Sequence, residues 1–132
     1  MRDLRWAAVW ILAGAAACAP LNPGESDVIG AWRAEWTCGV EMLVLKRDGT
    51  YAYSVDFAAG GRATDSGRWK LVPTTEHLVG AHVILQNALQ GCSEFGEKAA
   101  QPERYDRTLE TIWEWGRMIL SFNPDVPGFT RL

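Results

Sequence analysis

Residues 41–57 contain the pattern that most restricts how this chain folds. Apolar and polar side chains alternate strictly over 50–57, which is typical of a strand with one buried face. The run 41–46 is a second strand candidate, and Asp48-Gly49 is a turn signal between the two. The sequence therefore predicts an antiparallel hairpin.

The loop length of this hairpin decides which side chains face each other. A three-residue loop, 47–49, with Gly49 in a left-handed conformation gathers the large apolar side chains on one face, whereas a two-residue loop would not. We therefore expect Leu45 opposite Tyr51 and Leu43 opposite Tyr53.

Further short strands follow along the chain. Strand candidates are 66–72, 78–85, a final hairpin of 104–113 and 117–122, and a short closing strand over 129–132. We expect a loop over 58–65 and an irregular stretch over 86–102, with a short helix near 97–100. No amphipathic helix of ten or more residues is indicated.

Seven or eight short strands predict an all-β fold. We favour a small antiparallel up-and-down barrel, because sequential hairpins form such a meander easily and closure removes exposed strand edges. A β-sandwich is the alternative.

The N-terminus has the features of an export signal. Arg2 and Arg5 precede an uncharged, mainly apolar run of 12 residues, 6–17. That run is too short for a membrane-spanning helix, which needs about 20 residues, and it matches a signal-peptide core.

Three alanines, 15–17, lie directly before Cys18, and this resembles the lipobox of bacterial lipoproteins. The family usually has Leu where Ala15 stands. The resemblance implies a diacylglycerol on the Cys18 thiol and an acylated amine after cleavage. With Ala19 next, it also implies sorting to the outer membrane, facing the periplasm. Ordinary secretion with cleavage after Ala17 is the alternative.

The chain has three cysteines, and an exported protein must account for an odd one. Lipidation of Cys18 accounts for it and leaves Cys38 and Cys92 to form a disulfide in an oxidising compartment. That bridge would close a loop of 54 residues, a constraint worth about 4 kcal/mol on the chain-entropy account.

The expected organisation is a signal peptide over 1–17, a lipidated N-terminus and flexible tether over 18–27, and one barrel domain over 28–132. Without the leader the chain has 11 basic and 15 acidic residues, a formal charge of −4. This acidic balance without basic clusters argues against nucleic-acid binding.

Gly30-Ala31-Trp32, the 43–51 hairpin and Gly67-Arg68-Trp69 follow in an order that resembles small lipocalin-like domains of the calycin type. The resemblance covers roughly 28–72. It implies that Gly30 and Trp32 seal one barrel end, and that an arginine from the last strand, Arg131 or Arg117, stacks on the indole.

The remaining aromatic residues are candidate binding residues. Trp36, Trp69, Trp113 and Trp115, together with Trp32, could line a ligand cavity, although filling of a small core is the simpler interpretation. A tryptophan at the barrel rim would instead be an anchor for a partner.

The sequence gives little support for a metal site or a catalytic site. In a strand, His77 and His82 would face opposite sides, and no His-Cys cluster adds ligands. The acidic pairs Glu35 and Glu41, or Glu94 and Glu97, fit solvated surface carboxylates better than a glycosidase dyad. We expect no cofactor.

These features predict a non-enzymatic, lipid-anchored envelope protein that binds a small apolar ligand or a protein partner. The alternatives are a periplasmic inhibitor or immunity protein against a lysozyme-like or toxin enzyme, with 91–103 as its binding loop, a structural accessory subunit of an envelope complex, and an enzyme with dispersed carboxylates.

Overall fold

The computed structural model describes residues 23–73, 80–92, 97–98, 103–123 and 128–132. One helical turn, α1 (Glu25–Val28), precedes the strands. They are β1 (Gly30–Glu35), β2 (Gly39–Leu45), β3 (Thr50–Phe57), β4 (Arg62–Pro73), β5 (Ala81–Leu89), β6 (Arg104–Glu114), β7 (Arg117–Ser121) and β8 (Phe129–Arg131). Among these residues, no helix has the length and apolar character needed to cross a bilayer.

The eight strands form a closed barrel in which each strand pairs with the next. All pairs are antiparallel, and the barrel radius is 9 Å. β8 closes the barrel by pairing with β1, with Arg131 opposite Trp32 and Thr130 opposite Arg33. The predicted up-and-down barrel is therefore confirmed, and the sandwich alternative is wrong.

The β2–β3 hairpin has the predicted register. Gly49 has a φ of +84°, the left-handed conformation expected for the three-residue loop. The Asp48 carboxylate accepts hydrogen bonds from the Thr50 hydroxyl and amide, and these lower the pKa of Asp48. Leu43 pairs with Tyr53 and Leu45 with Tyr51.

The predicted loop over 58–65 is wrong, because β4 already begins at Arg62. The first residues of β4 are mostly polar and lack an apolar alternation, yet they pair with β3 from Asp56 back to Tyr53. Pairing with an established neighbour thus extends this strand beyond its sequence pattern.

The irregular stretch predicted over 86–102 is also too long. β5 continues to Leu89 through a β-bulge between Leu85 and Ala88, where Asn87 has a φ of +47°. The extra residue interrupts the alternation, which explains why the pattern failed to show this part of the strand. The helix expected near 97–100 is not formed at its start, since Lys98 makes a β-bridge with Cys92.

Side chains at alternate positions of the strands fill the barrel. The largest fully buried ones are Trp32, Tyr51, Phe129, Leu43, Leu45, Leu85, Leu109 and Leu120. They form a single core cluster that continues to α1 through Val28.

The two barrel ends differ in their loops. We call the end that carries α1, the β2–β3 turn, the β6–β7 turn and residues 131–132 the rim end. The opposite end carries the β1–β2 turn, the β3–β4 turn and the start of the connection between β5 and β6. We call this end the stapled end, and the connection, residues 90–103, the β5–β6 segment.

Candidate functional site

A tryptophan and an arginine close the barrel at the rim end. Trp32 is fully buried, and its indole Nε1 donates a hydrogen bond of 2.9 Å to the Val28 carbonyl. The Arg131 guanidinium lies 4.6 Å from the indole ring centre, a cation–π distance. Arg131 also donates hydrogen bonds to the carbonyls of Ile29, at 2.9 Å, and Asp27. α1 is thereby held against the barrel end.

Gly30 allows this close arrangement. Its φ is +136°, and a Cβ atom there would lie 3.2 Å from Nη1 of Arg131. Of the two arginines considered from the sequence, Arg131 makes the contact with Trp32, whereas Arg117 is exposed at the start of β7.

Trp69, a residue of β4, also covers this end of the barrel. Its side chain is buried, and its Nε1 donates to the Lys46 carbonyl in the β2–β3 turn at 2.9 Å. The polar atom of this indole is therefore satisfied by the loop above it. Trp69 is a core residue and not an exposed binding aromatic.

The tip of the β6–β7 hairpin presents two other tryptophans at this end. Glu114 pairs with Arg117, so Trp115 and Gly116 form a two-residue turn, and their φ values are +51° and +78°. Trp115 is 94% exposed and Trp113 is 36% exposed. Trp115 is thus a large aromatic side chain held away from the body of the barrel.

A pocket of 330 Å³ lies at the rim end between this hairpin and α1. Its lining residues include the apolar Trp113 and Met118 and the charged Asp27, Arg117 and Arg131. It therefore offers both apolar and charged contacts beside the exposed indole.

The stapled end is closed by a covalent link. Cys38 in the β1–β2 turn and Cys92 in the β5–β6 segment form the predicted disulfide, with their Cα atoms 5.9 Å apart. In an eight-stranded barrel these two connections lie on opposite sides. The Lys98 ammonium lies 4.7 Å from the Phe57 ring centre, so the segment also contacts β3.

Two buried charged side chains hold the backbone of this segment. The Glu41 carboxylate accepts a hydrogen bond of 3.2 Å from the Cys92 amide. Arg107 donates to the Leu89 and Cys92 carbonyls, at 3.2 and 3.4 Å. Within the described residues, no contact of 4.0 Å or less joins the two charges. Their direct partners are backbone groups.

Tyr53 completes this buried polar cluster. Arg107 lies 5.8 Å from the Tyr53 ring centre and 3.9 Å from that of Phe122. Burial raises the pKa of Glu41, although Arg107 opposes the shift, and burial together with the Glu41 charge raises the pKa of Tyr53. Within the described part of the chain, Glu41 Oε2, Tyr53 Oη and Arg107 Nε have no hydrogen-bond partner.

A second polar cluster supports the bulged strand β5. The side chain of Asp65 is only 4% exposed, and it accepts hydrogen bonds from the Tyr51 hydroxyl at 3.0 Å and the Leu89 amide at 2.8 Å. Arg104 forms an ion pair with it at 3.0 Å. Burial alone would raise the pKa of Asp65, but the bonds from Leu89, Arg104 and Tyr51 outweigh it and lower that pKa.

The interpretation of Glu41 as a surface carboxylate is wrong. Glu41 shares the inward face of β2 with Leu43 and Leu45, a parity that was readable in the sequence. Glu35 is exposed and forms an ion pair of 2.6 Å with Arg33. The two carboxylates therefore face opposite sides of the sheet and do not form a dyad.

Of the remaining residues singled out in the sequence, the structure describes Trp36 and His82. Trp36 is half-buried and contacts the Phe129 ring edge-on, with the ring centres 6.4 Å apart. His82 lies 4.0 Å from the Glu110 carboxylate. In the described ranges, no three His, Cys, Asp or Glu side chains are grouped as metal ligands. Residues 1–17, predicted to be a signal peptide, and the residues Cys18, His77 and Glu94 lie outside the described ranges.

The barrel interior is an unfavourable place for a ligand. Among the described residues, buried core side chains occupy it, the indoles of Trp32 and Trp69 cover the rim end, and Gly91 and Cys92 lie over Tyr53 and Val55 at the stapled end. A groove of 530 Å³ does exist, but it includes the outward side chains of Met42, Val44 and Ala52 on β2 and β3.

Comparison of this chain with protein-family models, with curated proteins and with solved structures finds no match. A function for this chain is therefore inferred from the closed eight-stranded barrel and from the different side chains at its two ends.

Proposed function

We propose that this protein is an exported, lipid-anchored and non-enzymatic binding domain of the bacterial envelope, whose binding surface is the rim end. The signal-like residues 1–17 and Cys18 support export and anchoring. The Cys38–Cys92 disulfide supports an oxidising compartment, since such bonds persist mainly outside the cytoplasm.

The observation that carries the binding surface is the exposure of Trp115. At 94% exposure its indole gains almost nothing from the fold. A bulky residue with positive φ carries a backbone cost of about 1–2 kcal/mol, because its Cβ approaches a carbonyl oxygen. The exposed ring of Trp115 is therefore available for contacts outside the chain, where tryptophan is a frequent binding anchor.

The filled interior argues against the small apolar ligand expected from the sequence. Such a ligand would have to displace packed core residues, and rearranging a well-packed core costs on the order of several kcal/mol. The buried group of Glu41, Tyr53 and Arg107 lies under the β5–β6 segment and binds its backbone, which supports a non-enzymatic role.

One further proposal has a structural observation in its support, and one has none. The contact of Arg131 with Trp32 supports the calycin-type relationship. The inhibitor or immunity alternative depends on residues 91–103, which lie largely outside the described ranges, and it stays a prediction.

Site-specific photo-crosslinking in the intact envelope tests the rim end as the binding surface. A photoreactive amino acid at position 115 should form adducts, whereas one at position 105, an exposed tyrosine near the stapled end, should form none. Equal crosslinking from both positions, or none from position 115, would contradict the proposal.

The anchor is tested separately. The Cys18→Ser variant should leave the membrane fraction, while the wild-type chain remains in it. Retention of the variant in the membranes would remove the lipid anchor from the proposal.

A further inference from the structure

We infer that the partner of the rim end is the lipid bilayer that anchors the chain, and that Trp115 inserts among its headgroups. The inference rests on the lipid anchor of the proposed function. It adds a second, non-covalent contact and a fixed orientation, with the rim end against the membrane and the stapled end away from it.

The path of the chain places the rim end next to the anchor. Five peptide steps separate Cys18 from Pro23, and an extended chain of that length spans at most about 18 Å. The described chain then enters at the rim end, where Asp27 lines the same pocket as Trp113 and Arg131. A lipid on Cys18 would therefore keep this end close to the membrane surface.

The chemistry of the hairpin tip suits a membrane interface. The amphipathic indole of tryptophan is enriched at the headgroup level of bilayers, where its ring contacts acyl chains and its N–H stays hydrated. Trp115 projects from the end of a tight hairpin, and Trp113 lies partly exposed on the adjoining strand. The indole can enter the headgroup region without displacing any part of the fold.

A basic side chain lies directly after the exposed indole. Arg117 begins β7 immediately after the Trp115-Gly116 turn, and it is exposed. A basic side chain at this position favours contact with anionic headgroups.

Fluorescence quenching in vesicles tests the contact. The protein extracted from bacterial membranes is placed in vesicles of phosphatidylethanolamine and phosphatidylglycerol, with or without a nitroxide on the lipid headgroup. The nitroxide should reduce the tryptophan emission of the wild type, and the Trp115→Asn variant should lose most of that reduction. Trp36→Phe is the matched control, because Trp36 lies at the stapled end, and it should be quenched like the wild type.

The outcomes separate this inference from the proposal beneath it. Acylated protein whose quenching is unchanged by Trp115→Asn, or is lost in Trp36→Phe instead, overturns the membrane contact alone. Protein whose intact mass shows no acyl chains overturns both the anchor and the contact. Photo-crosslinks from position 115 to a protein instead of lipid would preserve the rim end as a binding surface and overturn the bilayer as its partner.

Discussion

Arg131 links three parts of the rim end through one side chain. It covers the Trp32 ring, donates to two carbonyls around α1, and lies over the Gly30 backbone, where a Cβ would crowd its Nη1. The chain before β1 is therefore held to the strand that closes the barrel.

Replacing Arg131 should measurably weaken the fold. We expect Arg131→Met to lower the free energy of unfolding by about 1–3 kcal/mol, from the loss of a cation–π contact and of hydrogen bonds to carbonyls. Urea denaturation measures the change. Arg117→Met at the same end is the control and should change it by less than about 0.5 kcal/mol. Equal losses in the two variants would contradict the role given to Arg131.

Glu41 and Asp65 are both buried carboxyl groups, but their pKa values move in opposite directions. Burial raises the folded-state pKa of Glu41 above its ordinary 4.5, so its contribution to stability is present below that value and is lost as the pH rises through the raised pKa. Asp65 has a lowered pKa, so its contribution is present above its ordinary 3.8 and is lost as the pH falls through the lowered one.

These opposite signs make a testable pH dependence. Relative to the wild type, Glu41→Gln should become progressively more stable as the pH rises above about 4.5, while Asp65→Asn should lose most stability above about pH 4. Urea denaturation from pH 3 to pH 7 measures both differences. A Glu41→Gln profile parallel to that of the wild type would contradict the raised pKa.

For single residues, the sequence predicted which side chains pair with each other better than it predicted which charged side chains are buried. The Cys38–Cys92 pair followed from counting thiols, and the Leu45–Tyr51 register followed from alternation. The burial of Glu41 was missed because a charged residue is rarely placed inside a small barrel. The Cys92 amide and the charge of Arg107 stabilise the Glu41 carboxylate there. The sequence does not show that these distant groups meet it.

At the scale of elements, the β6–β7 turn combines an unfavourable residue with a favourable one. Two-residue hairpin turns with positive φ at both positions prefer Asn-Gly, and here Trp115 precedes Gly116. The tryptophan occupies a position at which packing gives it no support.

Substitution by the preferred residue should therefore stabilise the protein. We expect Trp115→Asn to raise the free energy of unfolding by about 0.5–1 kcal/mol, because asparagine adopts positive φ more readily. Thermal unfolding of the two proteins measures the change. A clear loss of stability would mean that Trp115 packs within the fold, and it would weaken the case for an external contact.

The β5–β6 segment depends on a close approach at Gly91. A Cβ there would lie 2.3 Å from the Tyr53 hydroxyl oxygen and 2.8 Å from Val55 Cγ1, so the segment passes directly over these side chains. Its position above the barrel end is set by this packing together with the disulfide.

Gly91→Ala should destabilise the protein by about 1–3 kcal/mol, because the added methyl group overpacks a buried site. Gly24→Ala is the matched control, since the nearest atom to its Cβ would be 3.7 Å away, an ordinary contact distance. Denaturant unfolding of both variants makes the comparison, and an unaffected Gly91→Ala protein would place the segment elsewhere.

The elements themselves were predictable to different degrees. The β2–β3 hairpin was predicted from its apolar alternation around a turn signal, and the β6–β7 hairpin from two strand-like runs on either side of Glu114-Trp115-Gly116. The start of β4 and the end of β5 were missed, because one is a polar run stabilised by pairing and the other contains a bulge. In both places the neighbouring strands decide the structure more than the local sequence does.

For the whole molecule, closure is achieved with a very short final strand. β8 has three residues, yet it joins β7 to β1 and leaves no free sheet edge. The disulfide adds a covalent link between connections on opposite sides of the barrel. The all-β barrel could be predicted from the sequence, whereas the filled interior and the opposite characters of the two ends depend on how all eight strands meet.

The barrel is closed at both ends, by Trp32, Trp69 and Arg131 at the rim end and by the disulfide at the stapled end. A lipid on Cys18 and the exposed Trp115 would act at the same end, while the disulfide excludes Cys38 and Cys92 from other chemistry. Together with the Cys38–Cys92 disulfide, the proposed lipidation of Cys18 would account for all three cysteines of the chain.

The intact mass of the protein extracted from bacterial membranes, with thiol alkylation before and after reduction, tests this account most directly. We predict a chain that begins at Cys18 and carries acyl chains, with no alkylated thiol before reduction and two after it. A chain that begins at Cys18 without acyl chains, one that keeps residues 1–17, or one with a thiol at Cys38 or Cys92 that is alkylated before reduction would contradict it.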